Sequence, residues 1–237
     1  MVDIHCHILP GIDDGSDTWD TTAKMCQMAV RDGITHIVAT PHCDGHYEYD
    51  RAHFTDMLAT LSEVSGGRLT FSIGCDFHLS GRNVEAAMED PRPFALGDSQ
   101  YIMVEFDHHG IPSNAADLLR AILSRGMVPI ITHPERNAFL MKNLDVVQKF
   151  IGMGCLSQVT ANAFTGFWGP KSKKAAEKLL QKKAIHIVAT DAHDLNLRPP
   201  ILTEARRRIV ELAGADTAEA LVTHNPAAVV AGQSVAV

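Results

Sequence analysis

The stretch Met1-Val-Asp-Ile-His-Cys-His-Ile-Leu-Pro-Gly-Ile-Asp-Asp-Gly15 opens the chain. Residues i and i+2 of a strand point to the same side, so His5 and His7 are predicted to project together from the end of a short apolar strand. Asp13 and Asp14 follow closely. Two imidazoles beside carboxylates are typical of half a metal site. A His-x-His pair also arises by chance on protein surfaces. Whether His5 and His7 belong to a metal site therefore depends on the residues at the ends of the other predicted strands.

Short apolar runs alternate with helical patterns along the whole chain, which predicts a parallel sheet with crossover helices. The predicted strands are residues 2–6, 34–39, 69–75, 100–105, 128–132, 156–160 and 185–190. The predicted helices are residues 17–32, 51–65, 113–125, 143–153, 171–183, 200–213 and 216–231, the last of them interrupted near Asn225-Pro226. Gly33, Gly126 and Gly214 are each placed to end a helix. Residues 81–98, which Pro and Gly interrupt, are predicted to be mostly loop.

These elements predict an α/β fold. Seven strands alternate with helices without a linker or a shift in composition, which favours one domain over residues 1–237 and a closed or nearly closed β/α barrel. The pattern is also compatible with a doubly wound open sheet.

Composition excludes several classes of protein. The chain is 46% hydrophobic and 21% charged, with no apolar run long enough for a membrane span and no room for a signal peptide before the first strand. Its five cysteines are scattered and form no Cys-x-x-Cys pair, which favours reduced thiols in the cytoplasm. A net charge of -7 argues against nucleic-acid binding, and the lysines from Lys171 to Lys183 are predicted to form a solvated helix face.

Six of the seven predicted strands end in a residue that can bind a metal ion. Because the C-terminal ends of barrel strands meet at one face, these side chains are expected to converge. They lie at His5, His7, His42, Asp76, Glu105, His133, Asp191 and His193. Imidazoles and carboxylates without paired thiolates suit Mn, Fe or Zn in a catalytic site with more than one ion. A water bridging ions about 3.5–4 Å apart would supply a hydroxide nucleophile at neutral pH.

Several motifs together resemble one known family. They are Asp3-Ile-His-Cys-His7 with Asp13-Asp-Gly15, Thr40-Pro-His42, Val104-Glu-Phe106, His133-Pro-Glu-Arg136, and Asp191-Ala-His193 with Arg198-Pro-Pro200. The chain thus resembles the polymerase and histidinol phosphatase (PHP) superfamily, with its distorted (β/α)7 TIM-like barrel. More narrowly, it resembles the bacterial manganese-dependent protein tyrosine phosphatases of capsule and exopolysaccharide regulation.

The resemblance implies a site with three divalent ions, manganese above all, with iron or zinc as alternatives. One ion would be held by His5, His7 and Asp191, with Asp76 bridging to a second. The second ion would also take Glu105 and His133, and a third would take Asp14, His42 and His193. Arg136 and Arg198 match positions that face the phosphate, where a guanidinium can pair two oxygens.

One position departs from the family pattern. The family usually has Glu where this chain has Asp76, in the sequence Gly74-Cys-Asp-Phe-His78. Aspartate is one methylene shorter, so either the strand end shifts or one bridge lengthens. His78, two residues further on, is a candidate for compensating the shorter side chain.

The resemblance implies hydrolysis of phosphotyrosine in a protein, such as a tyrosine kinase of capsule or exopolysaccharide synthesis, by a metal-bridging hydroxide. A cysteine-based phosphatase is excluded, because no Cys precedes an Arg by six positions. Two alternatives stay open: a small-molecule phosphatase or phosphodiesterase, and a metal-binding regulatory module with weak catalysis. Among the other histidines, His36 and His186 are predicted to be packed in strands, and His108 and His109 to lie in a surface loop near the site.

Overall fold

In the computed structural model, which describes residues 1–235, strands alternate with helices along the chain. The strands are β1 (Val2–Cys6), β2 (His36–Ala39), β3 (His42–Cys43), β4 (Thr70–Ile73), β5 (Asp76–His78), β6 (Tyr101–Glu105), β7 (Val128–Thr132), β8 (Leu156–Thr160) and β9 (Ile187–Ala189). The helices are α1 (Trp19–Asp32), α2 (Arg51–Val64), α3 (Gly81–Glu89), α4 (Ala115–Ser124), α5 (Leu144–Gly152), α6 (Ala161–Thr165), α7 (Gly169–Gln181), α8 (Thr203–Ala213), α9 (Ala215–Glu219) and α10 (Asn225–Val230). A π-helical turn, Ala220–His224, joins α9 to α10.

All pairings between these strands are parallel, as the alternation with helices predicts. One sheet has the order β1-β2-β4, and the other has the order β3-β5-β6-β7-β8-β9. The predicted strand 69–75 is divided at Gly74-Cys75, and a similar break at Thr40-Pro41 separates β2 from β3. Across these breaks the backbone N–H of Asp76 still donates to Pro41 O at 3.1 Å. At each break the chain therefore passes from one sheet to the other, and a backbone hydrogen bond still joins the two neighbouring segments.

The first and last strands meet beyond their paired residues. The N–H of Asp191 donates to His5 O at 2.8 Å, and the N–H of His7 donates to Ala192 O at 2.8 Å. These bonds bring the chain just after β9 against the end of β1. The predicted α/β fold with parallel pairing is confirmed, and the described strands form two sheets rather than one continuous ladder.

Two groups of buried side chains fill the structure. The larger lies mainly between strands and helices, and α1, α4, α5, α7 and α8 all contribute to it. The smaller takes side chains mainly from alternate positions of the strands, including Val2 and Ile4 of β1 and Ile187 and Ala189 of β9. A strand buried on both faces is typical of parallel sheets covered by helices. The strands therefore have one face toward the helices and the other toward the smaller group.

Glycines end helices where the sequence predicted it. Gly33 follows α1 with φ 88°, and Gly214 follows α8 with φ 90°. Gly126 lies two residues beyond α4 with φ 79°. Only glycine adopts such values without a steric penalty.

The prediction of a loop over residues 81–98 was wrong. Residues Gly81–Glu89 form α3, and Arg92–Phe94 form a short 3-10 helix. Asn83 stabilises α3 through its side-chain amide, which donates to His78 O at 3.0 Å and to Cys43 O at 2.5 Å. Cys43 is far away in sequence, so a local reading of Gly and Pro could not detect this support.

Two further features concern the cysteines and the helix lengths. All five cysteines are unpaired and buried. Among residues 1–235, every helix is too short or too polar to span a bilayer.

His186 precedes β9 and gives a pH-dependent contribution to stability. It is 4% exposed, and its Nδ1 accepts a hydrogen bond from Ser157 N at 3.1 Å. Burial lowers the pKa of His186 to about 4, whereas an unfolded histidine has a pKa of about 6.5. Between these values the unfolded state binds more protons, so the free energy of unfolding falls as the pH falls.

From about pH 7 to about pH 5 we expect His186 to contribute a loss of about 2 kcal/mol in the free energy of unfolding. His186→Asn keeps an acceptor for Ser157 N but does not titrate, so this part of the pH dependence should disappear. Urea unfolding of both proteins at the two pH values measures it. Equal pH dependence in the two proteins would contradict the assignment.

Candidate metal centre

The predicted ligands lie together at the C-terminal ends of the strands. His5 is in β1, and His7 follows it directly; Glu105 ends β6. His42 and Asp76 begin β3 and β5, the short strands beyond the two breaks. His133 follows β7, and Asp191 and His193 follow β9. Asp14 comes from the loop after β1, which folds back so that Ser16 N donates to His7 O at 3.0 Å.

His5 and His7 converge on one carboxylate. Asp191 Oδ1 lies 3.2 Å from His5 Nε2 and 3.3 Å from His7 Nε2. The two Nε2 atoms are 3.2 Å apart. All three side chains are almost fully buried. The side-by-side projection predicted from the His-x-His spacing is therefore present, and the carboxylate arrives from the far end of the chain.

A second convergence lies around Asp14. Its Oδ1 is 3.3 Å from His42 Nε2 and 3.3 Å from His193 Nε2. The ring of His7 stacks on that of His193 with centroids 3.8 Å apart. His7 thus lies between the two convergences, and ligand atoms of His7, Asp14, His42 and His193 all lie within 4.8 Å of one another.

Asp76 lies at the centre of the cluster. Its Oδ2 is 3.4 Å from His5 Nε2 and 3.4 Å from His42 Nδ1. Glu105 faces His133, with 3.4 Å between Oε1 and Nε2, and its Oε2 lies 3.7 Å from His42 Nδ1. Although aspartate is shorter than the glutamate usual at this position in the family, Asp76 reaches an imidazole on each side. It begins β5, directly beyond the strand break at Gly74-Cys75.

These separations fit shared cations. Two ligand atoms about 2.1 Å from one ion lie about 3.0–3.4 Å apart, which is the spacing observed here. Within residues 1–235, both carboxylate oxygens of Asp76, His42 Nδ1 and His193 Nε2 are buried without a hydrogen-bond partner. Buried polar atoms in native proteins nearly always have a partner. The residues present therefore fit a set of divalent metal ions.

The pKa values of the clustered side chains also indicate that the carboxylates favour positive charge beside them. Burial lowers the pKa of His5, but Asp191 and Asp76 outweigh it and raise that pKa to about 9. Burial likewise lowers the pKa of His42, while the carboxylates of Asp14 and Asp76 raise it to about 10. The adjacent imidazoles of His193 and His42 hold the pKa of Asp14 well below its usual range. A divalent cation would satisfy these carboxylates at neutral pH without protons on the imidazoles.

Two of the clustered residues have unusual backbone conformations. His133 has φ 30° and Asp191 has φ 53°, values that non-glycine residues rarely adopt. Such strain persists only where the surrounding structure holds it, and it is common at functional sites. Around Asp191 the support is visible: Asp3 accepts hydrogen bonds from Thr190 N at 2.9 Å and from Thr190 Oγ1 at 2.5 Å.

Two side chains outside the predicted set of nine ligands orient the histidines. Asp13 Oδ2 lies 2.7 Å from His7 Nδ1 and accepts from His42 N at 3.0 Å. Gln158 of β8 places its Oε1 3.1 Å from His5 Nδ1. Such partners orient the ring of a ligating histidine and select its tautomer. In the sequence, Gln158 could have been recognised as a polar residue inside a buried strand. Asp13 could have been recognised because it directly precedes Asp14.

Both predicted arginines border the cluster. Arg136 NH1 donates to Asp191 Oδ2, and its Cζ lies 4.1 Å from the ring centroid of Trp168. Arg198 NH2 lies 3.3 Å from Asp14 Oδ2. Each guanidinium keeps further donors for another anion.

The remaining histidines divide as predicted between packed and exposed positions. His36 bonds to Thr70 Oγ1 and Ser72 Oγ, each at 2.7 Å. His108 and His109 have exposed side chains near the site, with the ring of His108 6.5 Å from that of His133. Their loop is held in place, because Asn137 Nδ2 donates to Asp107 O at 2.7 Å and to Gly110 O at 2.9 Å.

Gly15 lies in the loop that carries Asp13 and Asp14, at the point where this loop passes closely over His7 and leaves no space for a Cβ. A Cβ at this position would overlap His7 O and stand 2.5 Å from His7 Cβ. Gly15→Ala should therefore displace Asp13 and Asp14 from the histidines, with at least a tenfold loss of metal affinity and about 1–3 kcal/mol of destabilisation. Metal titration and urea unfolding measure both effects. Gly152→Ala is the control, because nothing lies within 4 Å of a Cβ there; equal results for both variants would contradict the prediction.

Comparison with known proteins gives consistent relatives. The family described as "Capsular polysaccharide synthesis, CpsB/CapC" matches residues 1–231. Tyrosine-protein phosphatase YwqE of Bacillus subtilis (strain 168) is 33% identical over 202 residues, which cover 84% of this chain and 79% of that protein. Tyrosine-protein phosphatase CpsB of Streptococcus pneumoniae is 29% identical over 242 residues, covering 98% of this chain and 99% of that protein.

A solved structure extends the likeness to the fold. It comes from a study of YwqE from Bacillus subtilis and CpsB from Streptococcus pneumoniae, described as unique metal-dependent tyrosine phosphatases. It superposes with a TM-score of 0.93 at 30% identity, covering 100% of this chain and 96% of that one.

Proposed function

Because this chain belongs to the CpsB/CapC family of capsular polysaccharide synthesis, we propose that it is a metal-dependent protein tyrosine phosphatase. The observation that carries the proposal is the convergence of imidazoles and carboxylates from six strand ends, at separations that fit shared cations, with two arginines beside them. The relatives named above are tyrosine-protein phosphatases and resemble this chain over most of its length.

The fold proposed for residues 1–237 is a single domain, a distorted (β/α)7 barrel of the PHP type. Three observations support it. The broken strands β2/β3 and β4/β5 count as one strand each, which leaves seven. The chain after β9 bonds to the end of β1. Alternate strand positions pack into a separate inner group of side chains.

We assign the ligands to three ions as the PHP resemblance implies. His5, His7 and Asp191 would hold the first ion, and Asp76 would bridge it to a second ion held by Glu105 and His133. Asp14, His42 and His193 would hold the third. The distances within the first and third groups support this division, and Glu105 lies 3.4 Å from His133. Ligand atoms of Glu105 also lie close to those of His42 and Asp76, and those of His133 close to His5 and Asp191. Imidazole and carboxylate ligands suit manganese, iron or zinc, and we propose manganese.

When bound, the ions would supply Lewis acidity and a water-derived nucleophile at neutral pH. The chain's own residues supply the rest. Arg136 and Arg198 present planar donors at the edge of the cluster and would orient the phosphoryl oxygens and stabilise their charge. The phenol of tyrosine has a pKa of about 10, so the leaving group needs less protonation than an alkoxide would. This fits a buried site in which the carboxylates are already paired with imidazoles.

For the protein substrate we propose a bacterial tyrosine kinase of capsule or exopolysaccharide synthesis, acting in the cytoplasm. The family's link to capsular polysaccharide synthesis supports this choice. The net charge of -7 makes a nucleic acid a poor partner.

The test combines metal analysis with an activity assay. Purified protein with added manganese should release phosphate from a phosphotyrosine peptide and lose this activity with a chelator. Elemental analysis should find three ions per chain. Histidinol phosphate and a dinucleotide diester, assayed side by side, should be poorer substrates.

His42→Ala should abolish the activity, and His53→Ala, which replaces an exposed histidine of α2, is the matched control. The proposal fails if no phosphate is released from the peptide, or if His42→Ala keeps full activity. One or two ions without turnover on any of these esters would favour a metal-binding regulatory module.

A further inference from the structure

A second pocket lies beside the metal centre. It has a volume of about 350 Å³ and is lined by His108, Arg136, Met141, Trp168, Lys171 and Ser172. The cleft over the metal ligands has a volume of about 310 Å³ and is lined by Asp14, His42, Glu105 and neighbouring residues, including His108. His108 therefore stands between the two, and the second pocket, which we call the Trp168 pocket, is adjacent to the proposed phosphoryl site.

The Trp168 pocket offers hydrogen-bond donors that the protein itself does not use. Ser172 is 3% exposed, and its hydroxyl has no hydrogen-bond partner among residues 1–235. The indole Nε1 of Trp168 is also buried without a partner within these residues. An indole N–H can only donate, and a serine hydroxyl can donate. Because buried donors nearly always have an acceptor, a ligand with acceptor atoms in this pocket would satisfy groups that residues 1–235 leave without one.

The charge of the pocket selects the kind of acceptor. Lys171 and Arg136 line it, and none of its lining residues is a carboxylate. Lys171 lies in the first turn of α7, where the helix dipole adds positive potential. Lys173, Lys174 and Lys178 follow on the same helix, in a chain whose net charge is -7. An anionic group is therefore the ligand that matches this pocket.

Arg136 connects the pocket to the reaction site. Its guanidinium lies over the Trp168 ring at 4.1 Å and donates to Asp191 in the metal cluster. Arg136 lies between the metal cluster and Trp168. If the phosphate of a phosphotyrosine contacts Arg136 at the cluster, the residues next to the phosphotyrosine in the substrate would lie near Trp168. The apolar faces of Met141 and Trp168 suit the aliphatic stem of a side chain, and the donors suit its end.

We propose that the Trp168 pocket binds the carboxylate of an acidic residue that flanks the phosphotyrosine in the protein substrate. This inference rests on the proposed phosphatase function and adds a determinant of sequence specificity to it. Lys171, Ser172 and the indole N–H contact the carboxylate, and Met141 packs against its methylene groups.

The test compares two phosphotyrosine peptides that differ only in Glu or Gln beside the phosphotyrosine, with free phosphotyrosine as the reference. The native enzyme should hydrolyse the Glu peptide with about tenfold higher kcat/KM, mainly through KM. Lys171→Ala and Ser172→Ala should each reduce this preference severalfold. Lys174→Ala, also exposed on α7, is the matched control and should keep the preference. The preference should also weaken with added salt.

The outcomes separate this inference from the proposed function. Equal kcat/KM for the Glu and Gln peptides would overturn the inference while phosphatase activity stands. A preference for a second phosphotyrosine at that position, without one for Glu, would also overturn it and assign the pocket to phosphate. If neither peptide nor free phosphotyrosine is hydrolysed, the proposed function fails, and calorimetric binding of the two peptides then decides whether the pocket still selects Glu.

Discussion

Replacing Asp191 with asparagine should lower kcat on a phosphotyrosine peptide by about a thousandfold or more. Asp191 Oδ1 is within 3.3 Å of both His5 Nε2 and His7 Nε2, and its Oδ2 accepts from Arg136. The amide keeps the shape but removes the negative charge from both interactions. Metal ions contribute several kcal/mol to transition-state stabilisation, and each 1.36 kcal/mol changes the rate about tenfold.

Asparagine is the right substitution because it tolerates the left-handed backbone of Asp191, which has φ 53°. The variant should therefore fold, and circular dichroism and urea unfolding would show it. Asp145→Asn, which replaces a surface carboxylate paired with Lys182, is the matched control and should keep full activity. Nearly native turnover with native metal content in Asp191→Asn would contradict the assignment of Asp191 as a ligand.

Replacing Arg136 with glutamine should lower kcat by about a hundredfold to a thousandfold, the loss typical of removing one donor to developing charge. Arg136 lies between the metal cluster and the Trp168 ring, and its side chain is 11% exposed. Arg136→Lys keeps the charge but loses the planar fork and the stacking on indole. We therefore expect Arg136→Lys to fall between the native enzyme and Arg136→Gln.

Steady-state kinetics with and without added manganese measure the effect. Arg120→Gln replaces an exposed arginine paired with Asp117 on α4 and serves as the control. If added metal restored full activity to Arg136→Gln, the role of Arg136 would be to hold Asp191 in place rather than to contact phosphate.

The strand pattern and the positions of the clustered His, Asp and Glu side chains were predictable because both follow from local periodicity. Buried parallel strands are apolar along their length, so a His, Asp or Glu at a strand end stands out. His5, Glu105 and His133 were found in this way, at the ends of β1, β6 and β7. The helix-ending glycines follow from the same local steric rules.

Elements that depend on distant contacts were not predictable. The helix α3 was missed because it is held by Asn83 against Cys43 O, across the fold. The division of β4 from β5 at Gly74-Cys75 was missed as well. A Cβ on Gly74 would stand 3.0 Å from Val38 and even closer to Leu96, so this glycine is needed for packing rather than for a local turn.

The sequence by itself determined which residues at the strand ends can bind metal ions, since a strand's spacing decides the side on which each residue projects. Only the tertiary structure decided which residues meet. Asp191 faces His5 and His7 because the chain after β9 bonds to the end of β1. The positioning roles of Asp13 and Gln158, and the Trp168 pocket beside Arg136, arise in the same way. Contacts between residues far apart in the chain depend on how the strands and helices pack against one another, and that packing involves the whole core.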